Sequence, residues 1–268
     1  MEEPYKIRAS SWSSLFNCAH QWEGVHLLGM RSPSSPRALL GTAIHASTGD
    51  YDLAAMNGRP ISVYDAAQSF ISELHEPEYE VDWRGADLSI REAEKIGLTL
   101  HSMYCANIAP LYDFIAVELP ATPQTIDCGG GIRIQLTGTI DRLYTTDGGR
   151  SVGVADLKTG GQSVTNGVVK TSQHRPQFGT YELLAENTIE KRLNLPGHVM
   201  ALKTKGDPEF GIGEIKGARD LMIGTEEYPG LIQIGAEMLR SGLFPPNTQS
   251  FTCSEQYCPR WSTCKYRE

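Results

Sequence analysis

The sequence predicts an α/β fold, a mixed β-sheet core flanked by helices, with an N-terminal helical lobe and a C-terminal Cys-rich tail. Three observations carry this expectation. Apolar residues recur at helical spacing through most of the first 113 residues, short β-rich runs separated by Gly-rich or Asp-Gly turns begin at Phe114, and three of the six cysteines fall between positions 253 and 264.

Taken in order, Ser11 to Leu28 reads as one helix, capped by serines at its start and ended by Gly29, Pro33 and Pro36, which places Cys18 mid-helix. A second helix is expected from near Leu39, and Tyr64 to Leu74 and Leu88 to Ile108 show apolar residues on one helical face. Strands are then expected at Phe114 to Leu119, Ile132 to Tyr144 and Val152 to Lys158. Arg175 to Arg192 reads as a helix, Gly197 to Thr204 and Phe210 to Ile215 as strands, and Leu231 to Leu243 as a last helix stopped by Pro245-Pro246.

At 268 residues the chain is long enough to bury a full core, and no repeat or low-complexity tract divides it. A single domain over 1–268 is expected, comprising a helical lobe (1–113), an α/β core (114–243) and the tail (244–268). The start Met1-Glu2-Glu3-Pro4 is acidic, and no run of about 18 apolar residues occurs, so neither secretion nor a membrane partner is expected and a cytoplasmic protein is implied. In a reducing compartment six cysteines serve metal ligation, catalysis or burial rather than a disulfide framework. The net charge of -8 argues against coating nucleic acid by bulk electrostatics, but residues 158–219 carry 9 Lys+Arg against 6 Asp+Glu, a local basic stretch in an acidic chain.

The most informative stretch runs from Gly138-Thr-Ile-Asp141 through Asp147-Gly148-Gly149 to Asp156-Leu157-Lys158-Thr-Gly160. It reads as a β-hairpin. With Gly148-Gly149 as a two-residue loop, Asp141 faces Asp156 and Thr139 faces Lys158. Alternation puts Asp156 and Lys158 on one face, so two carboxylates and an ammonium converge. Facing carboxylates repel, and a divalent cation between them reverses the sign; a nearby Lys then meets charge developing on a phosphate. Taken alone, the motif also fits a charged surface hairpin.

These residues resemble the PD-(D/E)XK nucleases, in particular their RecB-like branch. Gly138-Thr-Ile-Asp141 is similar to that branch's Gly-x-x-Asp strand, Asp156-Leu-Lys158-Thr-Gly160 to its Asp-x-Lys-Thr-Gly, and Gln177-Phe-Gly-Thr-Tyr181 to its Gln-x-x-x-Tyr. Gly41-Thr-Ala-Ile-His45 resembles its Gly-x-x-x-His helix. The resemblance implies a restriction-endonuclease-like core and Mg²⁺ or Mn²⁺ held by His45, Asp141, Asp156 and the Leu157 carbonyl. It further implies a catalytic Lys158, with Gln177 and Tyr181 organising the site. Glu118, at the end of the preceding strand, is either a further ligand or a solvated strand end, and His174 with Arg175 could touch phosphate.

In the tail, Cys253, Cys258 and Cys264 are one ligand short of a four-thiolate site, and Cys18 is the natural fourth. This pattern resembles the iron-sulfur subset of RecB-like nucleases, including AddB-type nuclease domains and the CRISPR-associated exonuclease, and implies a [4Fe-4S] cluster, with zinc as the rival metal. The expected function is a metal-dependent DNA exonuclease acting on single-stranded DNA or DNA ends, in recombination, repair, phage replication or CRISPR adaptation, alongside other proteins of those processes. The alternatives are a catalytically weak DNA-end-binding subunit of a larger complex and a zinc-stabilised hydrolase of a small phosphorylated substrate.

Overall fold

The computed structural model describes residues 3–84 and 86–267; Met1, Glu2, Gly85 and Glu268 lie outside the described residues. A short strand β1 (Tyr5–Arg8) leads into helices α1 (Trp12–Asn17), α2 (Ala19–His26), α3 (Pro36–Met56), α4 (Val63–His75) and α5 (Ile90–Asn107). Strands β2 (Asp113–Pro120), β3 (Gln124–Asp127), β4 (Arg133–Thr137), β5 (Thr139–Thr145), β6 (Val152–Gly160), β7 (Val164–Thr165) and β8 (Val168–Val169) follow. The chain continues through α6 (Arg175–Ile189), β9 (Gly197–Lys203), β10 (Phe210–Ile215), α7 (Ala218–Ile223) and α8 (Leu231–Ser241).

The central sheet has the order β10-β9-β6-β5-β2, with β6 and β9 parallel and its other pairs antiparallel. It is the mixed sheet expected from the sequence. Its two faces hold separate cores. On one face Ala155, Leu157, Met200 and Leu202 pack with Leu39, Leu40, Ile44, Phe70, Leu100 and Tyr104 of α3, α4 and α5. On the other, Val152, Val154, Val199 and Ala201 pack with Phe178 and Leu184 of α6, Met222 of α7 and Ile232 of α8. The period of two along β6 and β9 is thus used on both sides, which is why these strands read as nearly continuous apolar runs.

Local chemistry sets several boundaries. Ser89 and Glu92 form a capping box that starts α5, each side chain taking a backbone N–H of the other. The helix expected over Ser11 to Leu28 is broken: Cys18 is extended (φ -150°, ψ 95°) and separates α1 from α2. The tail stabilises the break. His20 N–H donates to the Pro245 carbonyl at 3.2 Å, and the Asn247 side chain donates to the Asn17 carbonyl at 2.9 Å. Apolar spacing continues through Cys18, so nothing local marks the interruption.

The single strand expected over Ile132 to Tyr144 is also two strands, parted at Gly138 and belonging to different sheets. β4 joins a three-stranded sheet of order β1-β4-β3, in which it runs parallel to β1 and antiparallel to β3, whereas β5 enters the central sheet. β1, β3, β7, β8 and α7, too short for periodicity to mark, are additions to the expected elements. Among the described residues no helix is long and apolar enough to cross a membrane.

Candidate active site

The β5–β6 hairpin has the expected register, pairing Arg142 with Ala155, Leu143 with Val154, Tyr144 with Gly153 and Thr145 with Val152. Its loop differs from the expected two residues. It spans 146–151, with Gly148 (φ 69°) and Gly149 (φ 90°) in the left-handed region that side chains disfavour. Asp147 closes it, accepting the Ser151 N–H at 2.6 Å and the Ser151 hydroxyl at 2.8 Å, while Thr145 Oγ1 accepts the Gly149 N–H at 2.8 Å.

At the far end the ladder stops at Arg142–Ala155, one step before Asp141 and Asp156. The expected Thr139–Lys158 pair does not form: Thr139 pairs with Pro120 on β2, and Lys158 with Ala201 on β9. Beyond Arg142–Ala155 the two strands part, each keeping its other neighbour, β5 with β2 and β6 with β9. Asp141 Oδ2 then accepts the Leu157 N–H at 3.2 Å.

Into this opening the structure brings most of the residues singled out by sequence. His45, on α3, sets its Nδ1 3.3 Å from Asp141 Oδ2. Asp156 is fully buried and pairs with the Lys158 ammonium at 2.5 Å. Gln177 Nε2, on α6, lies 3.5 Å from Asp156 Oδ1 and donates to the Tyr181 hydroxyl at 2.8 Å, the four-residue spacing placing both on one helix face. Gly41 allows α3 its approach, since a Cβ there would lie 2.7 Å from Thr159 Oγ1, just beyond Lys158. Two motifs 118 residues apart, read from the positions of Gly41 and Thr159, thus meet through a missing side chain.

Glu118 completes the group. Its backbone is left-handed (φ 48°), a conformation that strains any residue with a Cβ and that clusters at functional sites. One ligand atom each of His45, Glu118 and Asp141 lie within 4.8 Å of one another, a set that could hold a metal ion.

The electrostatics of the group are uneven. Burial alone would raise the Asp141 carboxyl, but His45, Lys158 and Arg142 hold it well below the usual carboxylate range. Asp156 is pushed up, by burial and by the Asp141 charge, against the pull of Lys158. Although burial opposes its charge, Lys158 is held above the usual lysine range by Asp156 and Asp141. Burial and the partly facing Asp141 raise Glu118. Burial and the Lys158 charge lower His174 to about 4, leaving it neutral. Environments that push neighbouring carboxyls apart are typical of catalytic centres.

Cys18 lies at the α1–α2 break and its Sγ accepts the Asn247 N–H at 3.4 Å. Burial raises the Cys258 thiol, and the charges of Cys18, Cys264 and Cys253 add to this, so the four cysteines chosen by sequence are neighbours. Cys105 is buried on α5 and Cys128 follows β3; both are free thiols apart from this set.

Sequence reasoning passed over Arg142, Asp52 and Tyr104, a buried polar cluster beneath the carboxylates. The run Ile140-Asp-Arg-Leu-Tyr-Thr145 shows only an Arg among strand residues; that it is fully buried, and so needs partners on the core face, is seen in the structure.

A mixed sheet whose opened hairpin carries Asp and Asp-x-Lys, facing a His from one helix and a Gln from another, defines the core of a hydrolytic nuclease. The chain belongs to the PD-(D/E)XK nuclease superfamily, whose family model matches residues 8–265. No curated protein matches. Among solved structures the chain is similar to a candidate exonuclease from Eubacterium rectale, at 10% identity and a TM-score of 0.54, over 93% of this chain and 87% of that one. At that identity the likeness speaks to the fold.

Proposed function

We propose that this protein is a Mg²⁺- or Mn²⁺-dependent DNA exonuclease of the RecB-like branch that degrades DNA from its ends, with a [4Fe-4S] cluster in the Cys-rich site. The observation that carries the nuclease reading is the convergence of His45, Glu118 and Asp141 within 4.8 Å beside the Asp156–Lys158 pair. One imidazole and carboxylate oxygens form a donor set suited to a hard divalent cation, and Asp156 and the Leu157 carbonyl are the further ligands. When bound, such a cation supplies activation of water and neutralisation of phosphate charge.

The chain's own groups do the rest. Lys158, kept protonated by its two carboxylates, presents a cation to the negative charge that builds on the scissile phosphate. Gln177 holds Asp156 and Tyr181 in fixed relation, so the site keeps its shape as DNA enters. The end-directed activity is what the RecB-like motifs imply; the structurally similar Eubacterium rectale protein is itself named as a candidate exonuclease. In the tail, the Ser254 hydroxyl is buried without a protein partner beside Cys253, an orphan that a cluster sulfide would satisfy. One distant cysteine plus a loose triplet fits a cuboidal cluster better than the close knuckles of structural zinc.

Metal-free protein incubated with end-labelled linear DNA and closed circular DNA should, on adding Mn²⁺, consume the linear substrate and spare the circle. Cutting of the circle would make it an endonuclease, and survival of both would leave a DNA-end-binding subunit.

A stability test bears on the same site. Because Asp156 is raised in the folded protein, it favours folding while protonated, and that contribution is lost as pH rises through its elevated value. At pH 8 without metal, Asp156→Asn is therefore expected to melt at or above wild type. Mn²⁺ at about a hundredfold excess over its Kd should raise the wild-type midpoint by about 5–10 °C. The variant should respond weakly. Equal gains from Mn²⁺ in both proteins would remove Asp156 from the metal site.

A further inference from the structure

Arg142 follows Asp141 directly, and adjacent strand residues point to opposite faces, so a guanidinium is driven under α3 into the core. There it is fully buried and spends its donors on three elements. Its Nε donates to Asp52 Oδ2 on α3 at 2.8 Å; its Nη1 donates to Glu118 Oε1 on β2 at 3.2 Å and to the Asp141 carbonyl on β5 at 3.0 Å. Asp52 is itself buried and also accepts the Tyr104 hydroxyl of α5 at 2.5 Å.

Asp52 lies seven residues after His45, two helical turns on the same face of α3 and about 10 Å along its axis. This face of α3 is therefore seated at two points, by the close approach of Gly41 to Thr159 and by the Asp52–Arg142 pair, with His45 between them. Arg142 also takes only one oxygen of Glu118. That carboxylate, about half exposed on a strained backbone, is thereby anchored by its Oε1 beside His45 and Asp141.

We propose that Arg142, braced by Asp52 and Tyr104, is a positioning residue for the divalent cation, setting Glu118 and the His45 face of α3 at the spacing the ion needs. The inference rests on the metal-site reading above. A buried ion pair is a poor source of net stability, because its desolvation offsets its attraction, so geometric specification is the better account of its presence. Partners that orient metal ligands typically change metal affinity by about 10–100-fold when removed.

The test is direct Mn²⁺ binding to metal-free protein, followed by the EPR signal of the free ion, for wild type, Asp52→Asn, Arg142→Lys, Tyr104→Phe and the control His45→Ala. Asp52→Asn and Arg142→Lys are expected to bind Mn²⁺ about 10–100-fold more weakly. Cleavage by the Asp52, Arg142 and Tyr104 variants at saturating Mn²⁺ should return to within a few-fold of wild type, because these three side chains are buried beneath the site. A purely structural role would lower the melting midpoint and leave Mn²⁺ affinity alone. Should either charged-pair variant fail to fold, Tyr104→Phe, which deletes a single hydroxyl, is expected to weaken Mn²⁺ binding in the same direction. Unchanged affinity in every folded variant, with His45→Ala impaired, overturns the positioning role alone; unchanged affinity in His45→Ala overturns the metal site itself.

Discussion

Lys158→Ala is expected to lower single-turnover DNA cleavage by about 10²–10³-fold, the usual consequence of deleting one preorganised group that meets transition-state charge. DNA affinity should change little. Lys158 is paired with Asp156 at 2.5 Å and its side chain is only 22% exposed, so it belongs to the carboxylate cluster rather than to a surface that tracks the DNA backbone. Cleavage rates at saturating Mn²⁺, beside equilibrium binding of the same labelled DNA in Ca²⁺, separate the two effects. The variant also leaves Asp156 buried without its cation, so its melting midpoint should fall, most at high pH where the carboxyl is charged. Near-wild-type turnover would remove Lys158 from the reaction.

The second large effect concerns the chain ends. Protein purified without air is expected to be brown and to contain iron and sulfide, and Cys18→Ala should lose both as completely as Cys258→Ala, although Cys18 lies 240 positions from it in sequence. Both variants should also melt lower, because ligation ties α2 to the tail. They should nonetheless remain folded. The tail has a second fastening: Arg260 is buried against Gly24, lies 3.0 Å from Glu23 and contacts His20, and Asn17 donates to Ser250 at 2.7 Å. Stoichiometric zinc without iron in anaerobic protein would refute the cluster, and retention of iron in Cys18→Ala would release that residue from the set.

The fate of individual elements explains how much of the site was readable. Hairpin register is short-range information: strand alternation and the Asp-Gly-Gly turn fix it, and the pairing of Arg142 with Ala155 follows even though the loop is six residues long. The grouping of His45 with Asp141, and of Gln177 with Asp156, was legible through motif resemblance rather than through periodicity. Glu118 was legible only as a choice between ligand and solvated strand end, since its left-handed backbone cannot be read from an ordinary apolar strand. The helix break at Cys18 was illegible because its partners, Pro245 and Asn247, lie more than two hundred residues away.

Residue type and local spacing were thus enough for the α/β class and for the hairpin that carries Asp141, Asp156 and Lys158. Only the tertiary structure decided that β4 and β5 belong to different sheets, that β5 and β6 part at the carboxylates, and that a buried Arg142 joins Asp52, Glu118 and the Asp141 backbone. The physical reason is desolvation. A guanidinium taken from water must find partners wherever the fold brings them, and those partners, on α3 and β2, are 90 and 24 residues away along the chain.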